Sequence, residues 1–540
     1  MAEVIHLAQA DRPSFDVIII GAGFAGLYAL HTLRGMGLSV RVFEQGDGIG
    51  GAWFWNRYPG ARCDVESLQY SYSFSEELER EWAWTERYAQ QPEILNYLKF
   101  VADKFNLRKD IQLETRIESL VFQDDAGIWR VTTRGGDAFE SRFVIAATGC
   151  LSSAKAPDVK GIGLFQGRTV FTGRWPKEGV DLNGKRVCVI GTGSSAIQTI
   201  PEIAKTAGHL TVFQRTANFS IPARNAPLTP ERVADWKANL PENRRRAREE
   251  AITGTLYKFA VKSAHDAGPE ERAAEFEERW RVGGAGFMHA YNDLLRNEES
   301  NRLAADFVRG QIRAIVKDPQ ISARLSPDDH PIGTKRICVD SDYYATFNRE
   351  NVDLVALKET GGIEIVPEGV MAGDRIHPCD VLVLATGYDA ISGPLLAMDV
   401  RGRNGRALRD KWKSGAKGYL GINPAGFPNL LTITGPGSPS VISNVVVSIE
   451  QHVEFIERLL KHMATRKYAI VDSTEKVEAE WMARVTEIAN GTLYPKANSW
   501  YVGANVPGKP RGFIAFIGVG AYRKICDEIA ADNFRGFEFS

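Results

Sequence analysis

The chain has 540 residues, which is too long for one ordinary hydrophobic core and predicts two to four domains. Hydrophobic residues make up 44% and charged residues 25%, as in soluble globular proteins, and a formal net charge of −1 gives no electrostatic reason to bind nucleic acid or an anionic membrane. The longest apolar run, Val17 to Leu30, is interrupted by three glycines and is shorter than the ~20 residues of a transmembrane helix.

The first predicted element is an apolar strand over residues 16–20, which is followed at once by a glycine-rich turn and a helix. In this turn Gly21 allows the tight bend, Gly23 lets the backbone approach a pyrophosphate, and Gly26 lets the helix pack on the strand. Glu44 ends the next strand, 23 residues after Gly21, where a carboxylate can bind two ribose hydroxyls. A glycine turn between core elements would not explain Glu44, so the pattern predicts a dinucleotide site at the helix N-terminus.

Residues 50–64 are predicted to form a loop that is unusually rich in aromatic side chains and lies beside the expected cofactor. The alternative is that its tryptophans only anchor the core. A helix over 93–105 follows, and then short strands at 111–114, 117–123, 129–133 and 138–147.

A second dinucleotide motif begins with an apolar strand over 186–190 and continues with a helix and a further strand. Its phosphate turn consists of Gly191, Thr192, Gly193, Ser194, Ser195 and Ala196. Arg215 stands 24 residues after Gly191, where the first motif has an acid. A guanidinium there can bind a 2′-phosphate, which a carboxylate would repel. The first site therefore predicts FAD or NAD and the second predicts NADP, unless Arg215 is only a solvated arginine at a strand end.

Residues 223–332 lack strand signals and are rich in charge, which predicts an inserted domain of five or more helices. Strand-like segments return after residue 332, and two segments, 143–149 and 381–387, both end in Ala-Thr-Gly. This repetition indicates two crossings between two nucleotide domains. The remaining predicted elements are strands over 352–357, 363–366, 376–384 and 430–434, a helix over 441–463 and a long loop at 491–511.

These elements predict an α/β fold with two Rossmann-like dinucleotide-binding domains of the glutathione-reductase type and a helical insertion. The predicted domains are an FAD-binding domain (1–150 and 387–540), an NADP-binding domain (151–222 and 333–386) and a helical domain (223–332) inserted in the NADP-binding domain.

The six cysteines are scattered without a Cys-x-x-Cys pair, which argues against a flavin disulfide reductase and against a metal site. Residues 1–15 carry acidic side chains and lack the apolar centre of a signal peptide. We therefore expect a cytoplasmic protein.

Two stretches follow defined spacings of aromatic, glycine and proline residues. The first, Gly-Gly-x-Trp, four residues, Tyr-Pro-Gly, three residues and Asp, is complete from Gly50 to Asp64. The second, Phe-x-Gly-x-x-x-His-x-x-x-Trp-Pro, is matched at Phe165, Gly167, Trp175 and Pro176, but Phe171 replaces the histidine. These stretches resemble the two signatures of the type I Baeyer–Villiger monooxygenases, a family that uses FAD and NADPH. The resemblance covers almost the whole chain, and it is closest to the branch that acts on phenylacetone and steroid ketones. The Trp-Pro ending favours this family over the related N- and S-oxidising flavin monooxygenases.

The resemblance implies that one oxygen atom of O2 is inserted next to a ketone carbonyl, through a peroxide at flavin C4a that must stay deprotonated, to give an ester or lactone. It also implies sulfoxidation. In relatives the histidine helps to couple NADPH binding to flavin chemistry, and Phe171 cannot hydrogen-bond or titrate. Either the surroundings of Phe171 are rebuilt around an apolar contact and activity persists, or NADPH is consumed with release of peroxide. An N- or S-oxidising monooxygenase is a further alternative, whereas a mere electron carrier would not need Arg215.

The resemblance also assigns roles to individual residues, with Arg336 as the cation beside the flavin and Asp64 as its carboxylate partner. Trp500 and Tyr501 resemble a loop that closes over the nicotinamide. The implied FAD contacts are Gly21, Gly23, Phe24, Gly26, Glu44, Gln45, Gly51, Ala52, Trp53, Trp55, Asp64, Tyr70, Asn444 and Val445. The implied NADP contacts are Arg62, Gly191, Thr192, Gly193, Ser194, Ser195, Ala196, Gln198, Arg215, Thr216, Lys335, Arg336 and Trp500. The expected partners are a small-molecule ketone and O2, and the chain is expected to be a monomer or a weak oligomer.

Overall fold

The computed structural model describes residues 14–154, 159–504, 506 and 508–540. The residues on which the predicted absence of a signal peptide rests lie mostly outside these ranges. The strands are β1 (Phe15–Ile20), β2 (Val40–Phe43), β3 (Ile111–Gln112), β4 (Ile117–Gln123), β5 (Ile128–Thr133), β6 (Ala138–Ala146), β7 (Arg168–Phe171), β8 (Arg186–Ile190), β9 (His209–Gln214), β10 (Ser220–Pro222), β11 (Cys338–Asp340), β12 (Val352–Ala356), β13 (Glu364–Val366), β14 (Gly369–Ala372), β15 (Arg375–Pro378), β16 (Val381–Leu384), β17 (Asp399–Arg401), β18 (Leu430–Thr432), β19 (Val471–Ser473) and β20 (Phe537–Phe539). The helices are α1 (Phe24–Gly35), α2 (Ala52–Trp55), α3 (Glu76–Glu81), α4 (Gln91–Lys104), α5 (Ser194–Thr206), α6 (Pro230–Ala238), α7 (Leu240–Glu249), α8 (Pro269–Val282), α9 (Glu298–Ile315), α10 (Pro319–Leu325), α11 (Tyr343–Thr346), α12 (Leu357–Thr360), α13 (Gly393–Leu396), α14 (Leu408–Lys411), α15 (Val445–Arg466), α16 (Glu475–Asn490) and α17 (Val519–Ala531).

Two sheets organise the fold, and each contains a buried apolar strand that leads into a glycine turn. The first has the order β17-β4-β5-β6-β1-β2-β3, with β18 also paired to β6, and β1 runs parallel to both of its neighbours. The second has the order β12-β9-β8-β16-β7 and is parallel throughout. Side chains of β1 and β8 are buried on both faces, as in parallel sheets covered on both sides. The predicted α/β fold class is confirmed.

The helical insertion shares an apolar core with the second sheet, and its helix α9 packs on α11. Helices α6 to α10 all fall within residues 223–332, as predicted. Phe276 and Phe287 of the insertion belong to the same apolar core as Val187 and Val189 of β8. The bounds of the three domains stay predictions.

Three predicted elements differ in detail from the structure. The predicted strand 376–384 is two strands, because β15 forms a hairpin with β14 while β16 joins the parallel sheet. The predicted helix 441–463 begins at Val445, because the Asn444 side chain caps it by accepting a hydrogen bond from the backbone N–H of Val446 (3.2 Å). The predicted loop 491–511 contains two short 3-10 turns, Tyr494–Lys496 and Trp500–Val502. Among the described residues, none of the helices has both the length and the apolar character needed to cross a bilayer.

Phe171 ends the edge strand β7, directly opposite Leu384 of β16. Its ring is half-buried against an apolar cluster that includes Cys188 and Phe213. The aromatic ring of Phe171 therefore occupies an apolar position, opposite the residue that precedes the second Ala-Thr-Gly segment.

Candidate active site

A continuous cavity of about 1540 Å³ lies where the two sheets meet, at the carboxyl ends of β1 and β8. Ligands of α/β proteins bind at such strand ends because the loops and helix N-termini converge there. The backbone after β6 and after β16, at Thr148 and Thr386, also lines the cavity. Both glycine turns and both Ala-Thr-Gly segments therefore border one space.

The first glycine turn is a close-packed cradle in which Gly21 and Gly26 leave no room for a Cβ. Gly21 has φ +105°, and a Cβ there would lie 2.6 Å from the carbonyl oxygen of Ala147. A Cβ on Gly26 would lie 1.8 Å from the carbonyl oxygen of Gly21, so α1 approaches β1 more closely than any other residue allows. Gly23 is the N-cap of α1 and lies against Gly51 across the cavity, with a distance of 3.3 Å from its ideal Cβ position to the Gly51 Cα. Bare backbone N–H groups with a helix N-terminus behind them suit a pyrophosphate.

Glu44 is buried at the end of β2 and lines the same cavity. Its carboxylate accepts hydrogen bonds from the backbone N–H groups of Ala22 (2.9 Å) and Gly46 (2.8 Å). Burial raises the pKa of Glu44 above its usual value, and these two hydrogen bonds oppose that shift. Each oxygen keeps a second lone pair, which a ribose hydroxyl can use.

The second glycine turn repeats this geometry. Gly191 has φ +111°, and a Cβ there would lie 2.5 Å from the carbonyl oxygen of Ala385. Gly193 caps α5. Ala196 takes the place that Gly26 has in the first motif and is fully buried. The repetition supports a second nucleotide that faces the first.

A group of cations lies at the second nucleotide site. Arg215 is exposed at the cavity edge, and Lys335 and Lys358 also line the cavity. Burial lowers the pKa of Lys335 from its usual value, and the nearby charges of Arg215 and Lys358 lower it further, while Asp329 opposes the shift. Lysines and an arginine held this close favour a dianionic ligand such as a 2′-phosphate.

Arg336 and Asp64 form a two-pronged ion pair in the cavity wall. The Nε of Arg336 donates to one carboxylate oxygen (2.6 Å) and Nη2 donates to the other (2.7 Å), while Nη1 donates to the carbonyl oxygen of Val441 (2.6 Å). Burial alone would lower the pKa of Arg336, but the Asp64 charge and a contact with the Tyr501 hydroxyl hold it well above its usual value. Burial likewise opposes ionisation of Asp64, and the arginine charge holds the carboxyl pKa below its usual value. Both groups are therefore charged, and 26% of the arginine side chain is exposed towards the cavity.

Most of the predicted contacts border the cavity. The FAD-site residues that do so are Gly21, Gly23, Phe24, Glu44, Gln45, Gly51, Ala52, Trp53, Trp55, Asp64, Tyr70 and Val445. The NADP-site residues that do so are Arg62, Gly191, Thr192, Gly193, Ser194, Ser195, Gln198, Arg215, Thr216, Lys335, Arg336 and Trp500.

Three predicted contacts lie behind the cavity wall. Gly26 and Ala196 are helix positions that face their own strands. The Asn444 amide donates to the carbonyl oxygen of Gln69 (2.7 Å) and caps α15, so its side chain is used within the protein.

The residues of the second signature lie outside the cavity lining. They are Phe165, Gly167, Phe171, Trp175 and Pro176. A Cβ on Gly167 would lie 2.5 Å from the carbonyl oxygen of Asp380, so this glycine allows the signature to pack against the start of β16.

Sequence reasoning missed contacts that join distant segments. Gln198 of α5 accepts a hydrogen bond from the Tyr58 hydroxyl (2.8 Å) and donates to the carbonyl oxygen of Arg62 (3.0 Å), so it binds the aromatic loop to the second nucleotide site. The contact of Tyr501 with Arg336 was also missed. Neither contact has a local sequence signal, because each joins segments that are far apart in the chain.

Comparison with known proteins identifies the family. Residues 18–259 match the family model described as pyridine nucleotide-disulphide oxidoreductase. The chain is 42% identical to a phenazine N-monooxygenase of Lysobacter antibioticus over 98% of this chain and 97% of that one. It is 40% identical to a Baeyer–Villiger monooxygenase of Pseudooceanicola batsensis over 96% of this chain and 95% of that one. A solved structure of an oxidised steroid monooxygenase bound to NADP is 46% identical, with a TM-score of 0.93, over 97% of this chain and 99% of that one.

The chain belongs to the Baeyer–Villiger monooxygenases. It is an oxidoreductase whose cofactors are FAD and NADPH, so the predicted family, activity and cofactors are confirmed. The two glycine cradles of this Baeyer–Villiger monooxygenase fit two dinucleotides, and the positive charge of the cation group beside the second one is complementary to the 2′-phosphate of NADPH. The roles of individual site residues remain predictions.

Arg215→Ala is expected to weaken NADP⁺ binding about 10- to 100-fold while NAD⁺ binding changes less than about twofold, because charge-assisted hydrogen bonds to the 2′-phosphate are lost. Titration calorimetry of the FAD-loaded enzyme with each dinucleotide measures both constants. Arg313→Ala, at an exposed position on α9, is the control. Equal weakening of both dinucleotides would remove Arg215 from the phosphate site.

Proposed function

We propose that this monooxygenase converts apolar ketones into esters or lactones, with Arg336 as the cation that stabilises negative charge beside the reacting carbonyl. The observation that carries this proposal is the Arg336–Asp64 pair, which lies in the wall of a cavity bordered by both glycine cradles. The family membership supports the same chemistry.

FAD, when bound and reduced by NADPH, would activate O2 so that one of its oxygen atoms can add to the carbonyl. Gly21, Gly23 and Glu44 would hold its pyrophosphate and ribose, and Tyr70, Trp53 and Val445 would border it. Gly191, Gly193 and Arg215 would hold NADPH.

Arg336 is suited to stabilise an anion because it stays protonated throughout. Asp64 and Val441 accept from three of its five N–H groups and the Tyr501 hydroxyl also contacts it, so the guanidinium plane is fixed while part of the side chain stays exposed in the cavity wall. An anion next to this edge is favoured over its protonated form, and the same charge stabilises the oxyanion that forms when oxygen adds to a carbonyl. Asp64 acts as a positioning residue, because its carboxylate is paired with the arginine on the protein side.

The cavity wall near Arg336 is partly apolar, which favours a ketone without charged groups. Val441, whose carbonyl oxygen binds Arg336, lines this part, and Val445 and Ile449 follow it along the chain in the cavity wall. Apolar walls exclude water, which strengthens the electrostatic effect of Arg336 and prevents hydrolysis of reactive species.

A monomer or weak oligomer is proposed unchanged, and the location of the enzyme is proposed from its cysteines. All six cysteines lie in the described ranges and are free thiols, which supports a reducing compartment such as the cytoplasm. The three predicted domain bounds are proposed unchanged.

The decisive experiment incubates the FAD-loaded enzyme with NADPH, ¹⁸O2 and a panel of linear, aromatic, cyclic and steroid ketones, with products identified by mass. We expect esters or lactones that carry one labelled oxygen atom. A thioether and a phenazine extend the panel, since one relative is named as a phenazine N-monooxygenase. N-oxides without any ester would favour the N-oxidising alternative, and hydrogen peroxide as the sole product would overturn the proposal.

Phe171→His is expected to lower stability by about 1–2 kcal/mol without reducing peroxide release, because the imidazole enters the apolar cluster around Cys188 and Phe213. Phe171→Leu, which keeps the site apolar, is the matched control. Thermal unfolding measures stability, and a peroxidase-coupled assay measures peroxide per NADPH consumed. Lower peroxide release in the histidine variant would support the alternative of an uncoupled NADPH oxidase.

A further inference from the structure

The backbone segment that follows β16 is hydrogen-bonded to the backbone segment that follows β6. The backbone N–H of Asp389 donates to the carbonyl oxygen of Ser153 (3.0 Å), and that of Ile391 donates to the carbonyl oxygen of Cys150 (3.0 Å). Ile391 has φ +66°, a conformation that a β-branched residue adopts only when its surroundings impose it. We call residues 385–391 the crossing segment.

The crossing segment is also bound to the loop that carries Trp500 and Tyr501, of which the structure describes residues 491–504, 506 and 508–512. Lys509 of this loop donates from Nζ to Oδ1 of Asp389 (2.5 Å) and to the carbonyl oxygen of Ala390 (3.1 Å). Only 18% of the Lys509 side chain and 32% of the Asp389 side chain are exposed. A half-buried ammonium with two acceptors is a more directed contact than a surface ion pair.

The loop in turn packs behind Arg336. Tyr501 and Val502 are buried in one apolar cluster with Val441, and Ile391 packs against the same cluster. The carbonyl oxygen of Val441 is the acceptor for Nη1 of Arg336 (2.6 Å). The position of the loop therefore bears on the position of the guanidinium.

We propose that Lys509 is a positioning residue of the oxygenation reaction: its ion pair with Asp389 holds the loop so that Trp500 borders the cavity and Tyr501 supports Arg336. The inference deepens the proposed function and rests on it, since Arg336 is the group whose position is maintained. Lys509 itself does not line the cavity.

The test compares Lys509→Met, which keeps the length of the side chain, with Lys509→Arg, which keeps the charge. Lys496→Met is the matched control, because Lys496 lies in the same loop but pairs with Glu298 of the helical insertion at exposed positions. The readouts are FAD content, the NADP⁺ dissociation constant from calorimetry, kcat and KM for NADPH, and peroxide released per NADPH with a ketone that the wild type converts.

We expect Lys509→Met to bind FAD fully, to weaken NADP⁺ binding about tenfold and to raise the peroxide fraction about fivefold or more, since a directed charged contact is lost. Lys509→Arg should restore most of the NADP⁺ affinity and return the peroxide fraction most of the way to the wild-type value. Lys496→Met should match the wild type in both. Adding Asp389→Asn to Lys509→Met should cause little further loss, because both changes remove one contact.

The inference is overturned if the NADP⁺ dissociation constant and the peroxide fraction of Lys509→Met lie within twofold of the wild type. It is also overturned if the effects of Lys509→Met and Asp389→Asn are fully additive. If Lys509→Met loses FAD, the test uses Lys509→Arg and Asp389→Asn instead. A peroxide fraction equal to that of the wild type in Asp389→Asn then overturns the inference. Failure of the wild type to form ester contradicts the proposed function instead, so the two failures are distinguishable.

Discussion

Arg336→Ala is expected to lower the rate of ester formation by about 10²- to 10³-fold while FAD stays bound, because the cation that stabilises the developing oxyanion is removed. The substitution also leaves Asp64 as a carboxylate without its partner, which raises the carboxyl pKa towards and above its usual value. The measurement is product formation by mass, with NADPH consumption and bound flavin determined on the same preparation.

Arg336→Lys separates charge from geometry. A lysine keeps the positive charge but cannot bind both Asp64 oxygens and Val441 in one plane, so an intermediate rate is expected. Asp64→Asn should give a smaller loss than Arg336→Ala, because the arginine remains but is held less firmly. Ester formation near the wild-type rate in Arg336→Ala would show that another group stabilises the anion, and the proposed role of Arg336 would be abandoned.

Gly26→Ala is expected to yield protein without FAD and to lower the free energy of unfolding by about 3 kcal/mol or more. The added methyl group would clash with backbone atoms, which cannot move away without disrupting the packing of α1 on β1. The new Cβ would lie 1.8 Å from the carbonyl oxygen of Gly21, and both atoms belong to the cradle itself. Helix α1 would have to move away from β1, which displaces the N–H groups that face the pyrophosphate. Flavin absorbance per mole of protein and thermal unfolding measure the two effects.

Gly35→Ala provides a control in the same helix. A Cβ at Gly35 meets no atom within 4 Å, and the helix C-terminus gains the better helix propensity of alanine. Full flavin content and equal or higher stability are therefore expected of this variant. Should Gly26→Ala bind FAD as well as Gly35→Ala does, the close approach of α1 to β1 would not be required for the cofactor site.

Features that depend on a few consecutive residues could be predicted correctly. A buried parallel strand, a glycine-rich turn and a helix N-terminus follow one another within 12 residues from Val17 to Tyr28. The NADPH cofactor was predicted in the same way, from Arg215 in place of an acid, because a positive charge at that position favours a 2′-phosphate; the role of Arg215 itself stays a prediction. The length and alternation of the other elements predicted their type, with errors at their ends where caps such as Asn444 decide the boundary.

The pairing of Arg336 with Asp64 could not be predicted from such patterns. Asp64 and Arg336 are 272 positions apart, and only the meeting of the two sheets makes them one ion pair. Before the fold is known, a basic residue in a Lys-Arg pair has no sign that distinguishes it from a solvated surface charge. The family resemblance pointed to the pair, but its hydrogen bonds depend on the folded chain.

The local sequence of this enzyme determines two nucleotide cradles, because steric and electrostatic requirements within a strand, turn and helix act over a few residues. Packing of distant segments alone determines how Arg336, Asp64, Val441 and the Lys509 loop come together, and that Phe171 faces an apolar cluster rather than the cavity. The physical reason is that burial and charge pairing depend on neighbours in space, and those neighbours are brought together by the topology of the two sheets.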